Sequence, residues 1–193
     1  MVKKNKKSCS WAVNNPLMKE YHDKEWGTPV HDDRLLFEFL ILEGVQAGLS
    51  WNIVLQKREN YRKAFEDFDY KKIVNYREKK VEELLQNKGI IRNRRKIEAT
   101  ISNAKAFMEI QKEFGSFDAY IWRFIDHKPI QNAWKSLEEI PAKTDMSETI
   151  SKDLKKRGFK FIGPTVIYAF MQAVGMVNDH TSDCFRYYEL KIK

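Results

Sequence analysis

Cysteine and histidine residues are paired near both ends of this chain, and the two pairs together make up a complete set of metal ligands. Cys9 precedes His22 with C-x12-H spacing, and His180 precedes Cys184 with H-x3-C spacing. Two thiolates and two imidazoles close a tetrahedron around Zn²⁺, and four protein ligands leave no open position for a substrate. The pattern is therefore compatible with one structural zinc that would tie the two ends of the chain together.

The same spacing constrains local structure but leaves alternatives. At positions i and i+4, His180 and Cys184 would share one face of a helical turn. The same residues also fit a buried cysteine pair beside two ordinary histidines, or a Cys9–Cys184 disulfide. Disulfides are rare in the cytosol, so the disulfide fits least well if the chain is cytosolic. The two spacings alone do not decide between zinc and an ordinary buried pair.

The net charge indicates an anionic partner. The chain has 35 Lys and Arg residues against 27 Asp and Glu, a formal charge of +8. This balance suits nucleic acid or another anionic surface.

The 193 residues are enough for one domain with a sizeable core. No apolar run is as long as a membrane span, and no signal-peptide core follows the basic start. We expect a soluble, intracellular chain with no membrane partner.

Helical periodicity dominates the rest of the chain and predicts an all-α fold. A long apolar run from Asp33 is typical of a buried helix, and a 3.6-residue stripe predicts a helix over 93–114. Residues 126–146 contain two prolines and little periodicity, which predicts a long connection. Ser147 is predicted to start a helix, and Pro164 to open a last helix that stops at Gly175.

The best signal for nucleic-acid binding is LLQNKGIIRNRRKIEA, residues 84–99. Two predicted helices flank a tight turn at Gly89, which is the pattern of a helix-hairpin-helix. Glycine lets the backbone approach a phosphate, and the N–H groups at the start of the next helix attract it. The alternative is a glycine that ends one helix before a solvated basic helix start. The basic residues that follow the turn are Arg92, Arg94, Arg95 and Lys96.

Glu43 is a carboxylate on an apolar helix face that also contains Leu36, Phe39 and Leu40. A carboxylate in such a place must be paired, protonated or functional. Gly44 and Gly48 interrupt the same segment and would leave space for a ligand or for close backbone approach. The alternative is a glutamate that pairs with a core arginine or caps Ser50.

Aromatic residues near the chain start are the other candidate ligand contacts. Trp11, Tyr21, Trp26 and Trp51 provide flat rings that could hold a nucleobase by stacking while Glu43 reads its edge. Ordinary core packing is the alternative for each ring.

Several short strings are distributed over almost the whole chain. They are C-x-W near the start, YHDKEWG (21–27), LEGVQAGLSW (42–51), KRENY (57–61), GIIRNRRKI (89–97), LKKRGFKFIGPT (154–165) and VNDH-x3-C (177–184). In their sequence and order, these strings resemble those of bacterial 3-methyladenine DNA glycosylase I.

The resemblance implies a single domain over 1–193 with a two-lobed helix-hairpin-helix glycosylase fold, the hairpin lying at about 78–113. It implies a monomeric, cytoplasmic bacterial enzyme that flips 3-methyladenine out of alkylated double-stranded DNA. Water then hydrolyses the glycosidic bond, which leaves an abasic site and the free base. It also implies a structural Zn²⁺ that joins the two terminal segments. The implied zinc ligands are Cys9, His22, His180 and Cys184.

The resemblance also assigns the pocket. Glu43 takes the place of the family's base-recognising, catalytic carboxylate, and Trp51 that of its stacking tryptophan. Trp11 and Tyr21 fall on other pocket aromatics, whereas Met18 stands where many members have a tyrosine, which softens one wall. The residues that fill the gap left by the flipped base should come from near Gly48 and Leu49. The DNA-binding residues would be completed by Gly89, Arg92, Arg94, Arg95 and Lys96.

Three alternatives to a simple hydrolytic glycosylase remain open at this point. The first is a zinc-stabilised helical module that binds DNA without catalysis. The second is a bifunctional glycosylase and lyase, which would use an amine such as that of Lys96 for a Schiff base. The third is a hydrolase of small purine nucleosides, which would show no dependence on DNA.

Overall fold

A computed structural model describes residues 6–191, and within them the chain is mostly helical. The predicted domain limits, 1–193, include residues 1–5 and 192–193, which lie outside this range. Two two-residue strands, β1 (Ile130–Gln131) and β2 (Val177–Asn178), pair in parallel. The α-helices are α1 (Pro16–Lys24), α2 (Asp33–Gln46), α3 (Trp51–Ala64), α4 (Tyr70–Ile73), α5 (Glu78–Gln86), α6 (Arg94–Phe114), α7 (Phe117–Trp122), α8 (Asp145–Lys156), α9 (Pro164–Ala173) and α10 (Phe185–Glu189).

Local capping explains where the site-bearing helices begin and end. The Asp32 side chain accepts a hydrogen bond from Leu35 N–H at the start of α2, and Asn93 accepts one from Lys96 N–H at the start of α6. Such caps satisfy N–H groups that have no partner within the helix. Gly115 ends α6 with a φ of +86°, which a residue without Cβ adopts at little cost.

Helix α8 begins at Asp145, two residues before the predicted start at Ser147. Thr144, rather than Ser147, is the residue before the first helical turn. Thr144 and Ser147 form a reciprocal capping box in which each side chain bonds to the other's backbone N–H. Both residues are good caps, so composition alone did not show which one preceded the helix.

α2 is the central element of the core. Every residue from Leu36 to Val45 on this helix is buried, and it packs against α3, α6, α7 and α9. A helix that is apolar all round is expected at the centre of a helical domain. This placement forces the two carboxyl side chains between Leu36 and Val45, Glu38 and Glu43, into buried positions.

Short elements depart from the predicted pattern. α10 follows α9, so the helix at Pro164 is not the last one in the chain. The predicted connection over 126–146 contains β1, which pairs with β2 and fixes that connection against the segment after α9. A two-residue strand is too short to give a periodic signal. No helix within residues 6–191 has both the length and the apolar content to span a membrane.

Candidate functional site

The four predicted metal ligands converge in one buried cluster. Cys9, His22, His180 and Cys184 are each at most 1% exposed. One ligand atom from each lies within 4.8 Å of all the others. His22 Nε2 and His180 Nδ1 are 3.2 Å apart, and Cys184 Sγ lies 3.5 Å and 3.6 Å from them. The cluster is therefore close enough to bind a single metal ion.

Local structure brings the two C-terminal members together in a different way from the predicted one. His180 and Cys184 lie in a turn closed by a hydrogen bond from Cys184 N–H to Thr181 O, 2.8 Å, and α10 begins only after Cys184. The helical turn predicted from their i, i+4 spacing is therefore wrong. Cys9 and Cys184 are both free thiols, so the disulfide alternative is also wrong.

Each histidine is oriented by the ring nitrogen that faces away from the cluster. His22 Nδ1 lies 2.7 Å from Asp23 Oδ1, and His180 Nε2 lies 3.0 Å from the carbonyl oxygen of Trp26. Hydrogen bonds of this kind fix the tautomer that leaves the other ring nitrogen free as a ligand. The hydrogen bond from Cys9 lowers the pKa of the Cys184 thiol, and the two histidines act in the same direction. Ionised sulfur is the form that binds metals.

A largely apolar cavity of about 440 Å³ lies next to the cluster and collects the predicted base-binding residues. It is lined on one side by α1, α2 and the start of α3, and on the other by α9 and the segment 137–142. A few polar groups in a mainly apolar pocket are typical of a site for a small planar ligand. The predicted residues in its wall are Trp11, Met18, Tyr21, Glu43 and Trp51.

Glu43 is the most unusual side chain in this cavity. It is 4% exposed, and its Oε2 has no hydrogen-bond partner among the described residues. Burial raises the pKa of Glu43 to about 8, because the charged form is poorly solvated there. The alternative of a glutamate paired with a core arginine is wrong, since buried Arg58 pairs with Glu38 and Glu25 instead.

Two further polar atoms in the cavity also lack protein partners. The Tyr21 hydroxyl and the Trp51 indole Nε1 are buried, and neither forms a hydrogen bond within residues 6–191. The two rings are 5.5 Å apart and tilted by 49°. Burial, followed by the nearby Glu43 carboxyl, raises the pKa of Tyr21 well above its usual value. Buried groups without partners are costly, so three in one cavity indicate that a ligand satisfies them.

The opposite wall contains residues that the sequence did not single out as ligand contacts. Tyr168 and Gln172 are one turn apart on α9, and both line the cavity. Buried Asp179 holds both: its Oδ2 accepts hydrogen bonds from the Tyr168 hydroxyl at 2.6 Å and from Gln172 Nε2 at 2.8 Å. Trp26, an aromatic that the sequence did highlight, also lines the cavity.

Trp26 and Trp11 join the cavity to the metal cluster. Both line the cavity, and their rings meet edge to face at 5.1 Å. Trp11 also packs edge to face on His22 at 5.2 Å, and the Trp26 carbonyl accepts from His180. The cluster therefore supports one wall of the cavity directly.

Helices α5 and α6 pack together and are joined by residues 87–93, which include Gly89. The Gly89 N–H donates to Asn87 Oδ1 at 2.8 Å, and Ile91 N–H donates to the buried Tyr61 hydroxyl at 3.0 Å. A Cβ on Gly89 would lie 3.0 Å from the Asn60 side chain, a tight contact, so this close approach favours glycine. The turn is thus held rigidly against α3.

The basic residues after Gly89 differ in how they are engaged. Arg94 forms ion pairs with Glu78, Glu82 and Glu98. Lys96 Nζ donates to the carbonyl oxygens of Val45 at 2.6 Å and Ala47 at 2.8 Å.

Arg92 and Arg95, by contrast, are exposed, and neither takes part in the ion pairs formed within residues 6–191. Gly48 and Leu49 lie on the loop between α2 and α3, where Gly48 has a φ of +85°. Among the residues predicted to contact DNA, Arg92 and Arg95 form no ion pair within the described chain, and Arg94 and Lys96 bond to other protein groups. Gly48 and Leu49 lie on this loop.

Comparison with known proteins agrees with this arrangement. A family model described as methyladenine glycosylase matches residues 11–187. The DNA-3-methyladenine glycosylase of Haemophilus influenzae is 50% identical over 176 residues, which cover 91% of this chain and 95% of that protein. A crystal structure of 3-methyladenine DNA glycosylase I is 51% identical, covers 93% of this chain and 98% of its own, and has a TM-score of 0.90.

A second solved structure bears on the cavity. It is a single-substitution variant of 3-methyladenine DNA glycosylase I in complex with 3-methyladenine. It is 33% identical to this chain, covers 96% of it and 98% of its own length, and has a TM-score of 0.91.

Proposed function

This chain belongs to the methyladenine glycosylase family, and we propose on that basis that it removes 3-methyladenine from alkylated double-stranded DNA. The reaction is hydrolysis of the N-glycosidic bond, which leaves an abasic site and the free base. One observation supports this best: the buried Glu43 carboxyl, the Trp51 indole N–H and the Tyr21 hydroxyl share an aromatic cavity without protein partners.

Glu43 recognises the base by charge and by hydrogen bonding. Methylation at N3 makes the base cationic while it is still attached to the sugar, so its glycosidic bond is already weakened. Because the pKa of Glu43 is about 8, the empty pocket holds a neutral carboxyl at neutral pH. A cation beside it lowers that pKa, so the bound state contains a carboxylate paired with the base. The carboxylate also accepts a hydrogen bond from the exocyclic amino group of adenine.

The aromatic walls retain the extruded base. Trp51 and Tyr21 are tilted towards each other and present ring surfaces to the cavity, with Trp11 and the flexible Met18 completing that side. Stacking on aromatic rings offsets the loss of stacking in the duplex by about 1–3 kcal/mol per base. A methionine adapts its shape but stacks less well than a tyrosine, so Trp51 provides most of this contact.

The DNA-binding surface extends from the cavity to the turn at Gly89. The loop residues Gly48, which is exposed, and Leu49, which is half-buried, fill the space that the flipped nucleotide leaves. Backbone N–H groups at the start of α6, together with Arg92 and Arg95, bind phosphates. The helix pair α5 and α6 serves as the helix-hairpin-helix of a fold with two helical lobes.

Arg94 and Lys96 take supporting roles in this proposal. The sequence predicts phosphate contacts for both, but Arg94 is surrounded by three carboxylates and Lys96 caps the end of α2. Either contact would have to break before the side chain could reach a phosphate. We therefore assign Arg94 to the packing of α5 on α6, and Lys96 to the loop that contains Gly48.

The metal cluster fits a structural Zn²⁺. With Zn–S distances of about 2.3 Å and Zn–N distances of about 2.0–2.1 Å, tetrahedral ligand atoms lie about 3.3–3.8 Å apart. Four of the six separations are 3.2–3.6 Å and fit this geometry, and all six are within 4.8 Å. The ion would be held by two thiolates and two imidazoles, and it would supply structural stability only, since no position is left for substrate.

The proposal implies one catalytic domain formed by the whole chain and acting as a monomer. The cavity is built from α1, α2, α3 and α9, all from the same chain, and needs no residue from a second copy. A chromosomal DNA substrate implies that the enzyme works in the bacterial cytoplasm.

Base release from methylated duplex DNA tests this function, with the released bases separated and identified. We expect 3-methyladenine to be released, and 7-methylguanine to be released about 10- to 100-fold more slowly. Guanine's O6 would face the Glu43 oxygens, an unpaired contact that costs about 1–3 kcal/mol. Glu43→Gln should slow release of 3-methyladenine, while Glu83→Gln, at an exposed position on α5, should not.

Other outcomes would separate the alternatives. DNA binding without any base release would indicate a non-catalytic module. A covalent DNA adduct trapped by borohydride would indicate a lyase, and activity on free nucleosides without DNA would indicate a purine nucleoside hydrolase. Any of these results would contradict the proposed hydrolytic reaction.

A further inference from the structure

A second, basic groove lies beside the first turn of α6, away from the metal cluster and outside the aromatic cavity. It has a volume of about 510 Å³ and is formed between α6, the end of α8 and the loop 157–163. Arg95 enters it from α6, Lys155 from α8 and Lys160 from the loop. All three residues are exposed. Three cations from three separate elements therefore converge on one groove.

The positive charge of this groove is not neutralised by the protein. None of Arg95, Lys155 and Lys160 takes part in the ion pairs formed within residues 6–191. Their sequence neighbours differ: Arg94 pairs with three glutamates, and Arg157 pairs with Glu113 and Asp153. The groove contains one carboxylate, Glu98, which lies 3.5 Å from Arg94.

The loop that carries Lys160 is held firmly in place. The buried Asn103 side chain accepts from Lys160 N–H at 2.8 Å and donates to Lys160 O at 3.0 Å. Ser151 Oγ donates to Ile162 O at 2.6 Å. Phe161 between them has a φ of +56°, an unfavourable conformation for a residue with Cβ. The side chain of Lys160 is thus presented from a rigid and strained backbone.

The loop that lines the groove packs against α2, the helix that carries Glu43. The position of a Cβ on Gly44, the residue after Glu43, is 3.1 Å from Phe161 O, so the loop packs directly on α2. Lys96, one residue after Arg95, bonds to the carbonyls just before Gly48. A DNA strand that lies across the Gly48 loop and the start of α6 would therefore pass close to Arg95.

We propose that this groove binds the phosphodiester backbone of the DNA on which the enzyme acts, as a second contact beyond the turn at Gly89. The inference rests on the proposed function for the identity of the polyanion. A DNA strand carries a negative charge about every 3.4 Å along the axis, so cations spread over three elements suit it better than a single anion. The contacts carry no base information; they fix the position of the duplex relative to the pocket.

The test is the salt dependence of binding to a duplex that contains a stable abasic-site analogue, measured by fluorescence anisotropy. Arg95→Gln, Lys155→Gln and Lys160→Gln should each reduce the slope of log K against log salt by about 0.9 for each phosphate that the variant no longer neutralises. In the triple variant the slope should fall by about 2–3 such increments.

Lys71→Gln is the matched control, because it removes one charge from another exposed position. Its neighbour Tyr70 bonds to Gln111, 16 residues along α6 from Arg95, or about 24 Å at 1.5 Å per residue. This variant should keep the wild-type slope. Because Arg95 also belongs to the surface at Gly89, the decisive variant is the double variant Lys155→Gln and Lys160→Gln. If its slope equals those of wild type and Lys71→Gln, the proposal is overturned.

Binding of free 3-methyladenine, followed by tryptophan fluorescence, separates this inference from the proposed function. The triple variant should bind the free base as wild type does, which also shows that it is folded. Wild-type protein that releases no 3-methyladenine from methylated DNA would contradict the proposed function, while the slopes would still decide whether the groove binds DNA.

Discussion

At the scale of single residues, Glu43 combines a structural cost with the base-recognising role that we propose for it. It is a carboxyl group in the middle of the most buried helix, and burial raises its pKa from 4.5 to about 8. Between these two pH values the unfolded chain has released this proton while the native protein retains it. Native stability therefore falls as pH rises through this window, because the unfolded state binds fewer protons.

Glu43→Gln removes that titration and should stabilise the protein increasingly as pH rises. From pH 5 to pH 8 its advantage over wild type in free energy of unfolding should grow by roughly 3–4 kcal/mol. Urea denaturation of both proteins at each pH measures the difference. Glu83→Gln, at an exposed position, should show no such trend. A constant difference for Glu43→Gln would show that Glu43 is already ionised in the native protein.

Glu43 could be identified from the sequence because it is a charged residue on an apolar helical stripe. The cysteines and histidines could be identified because these residue types are rare in the chain. The sequence did not reveal Asp179, Tyr168 and Gln172. Tyr168 and Gln172 are ordinary members of an amphipathic helix, and Asp179 is a polar residue in a short loop. Their joint contribution exists only because α9 and β2 pack beside the cavity, a contact that local periodicity cannot encode.

At the scale of elements, long helices were predictable and short ones were not. α2 and α6 agree with the predicted starts because each follows an Asp or Asn cap and contains several turns of apolar spacing. α10 and the two-residue strands depend on tertiary contacts for their formation. Tertiary contacts also explain why His180 and Cys184 lie in a turn. Their spacing fits a helix, but the turn directs both side chains towards His22.

Lys96 joins two of these elements and supports a second prediction. Its ammonium group bonds to two carbonyls at the C-terminal end of α2, where the helix dipole favours a cation. Lys96→Met keeps the side-chain length but removes both hydrogen bonds, so it should lower the free energy of unfolding by about 1–3 kcal/mol. It should also increase hydrogen exchange at Leu49, whose N–H donates to Gln46 O.

Lys71→Met, at an exposed position, is the control for Lys96→Met and should change neither quantity. Unchanged stability in Lys96→Met would show that the two carbonyls are equally well solvated without the ammonium group. Borohydride should trap no adduct between wild-type protein and DNA, since Lys96 is held in a structural role.

At the scale of the whole molecule, the metal cluster joins the two ends of the described chain. Cys9 comes from the segment before α1 and His22 from α1 itself, His180 and Cys184 come from the turn before α10, and Phe185 N–H also donates to Lys7 O. Zinc that binds only to the native state, as we propose, would add its binding free energy to the stability of the whole fold. The cluster should therefore control global unfolding rather than a local movement.

Cys184→Ser and Cys9→Ser should each lower the melting temperature and the zinc content together. Because both residues serve one site, the double variant should be little less stable than either single variant. Metal analysis of untagged protein, paired with thermal denaturation, measures both quantities. Additive losses, or full stability with well under one zinc per chain, would contradict a single structural site.

The burial of Glu43 also has a consequence for turnover. The alkylated base is a cation only while it is attached to the sugar; when the bond breaks, its electron pair moves to the ring and the base leaves neutral. The attraction that ionises Glu43 therefore exists before cleavage and disappears afterwards, and the buried carboxyl, with its pKa of about 8, takes up a proton again. The pocket thus weakens its hold on the product as a direct result of the reaction, and no moving part is needed to expel it.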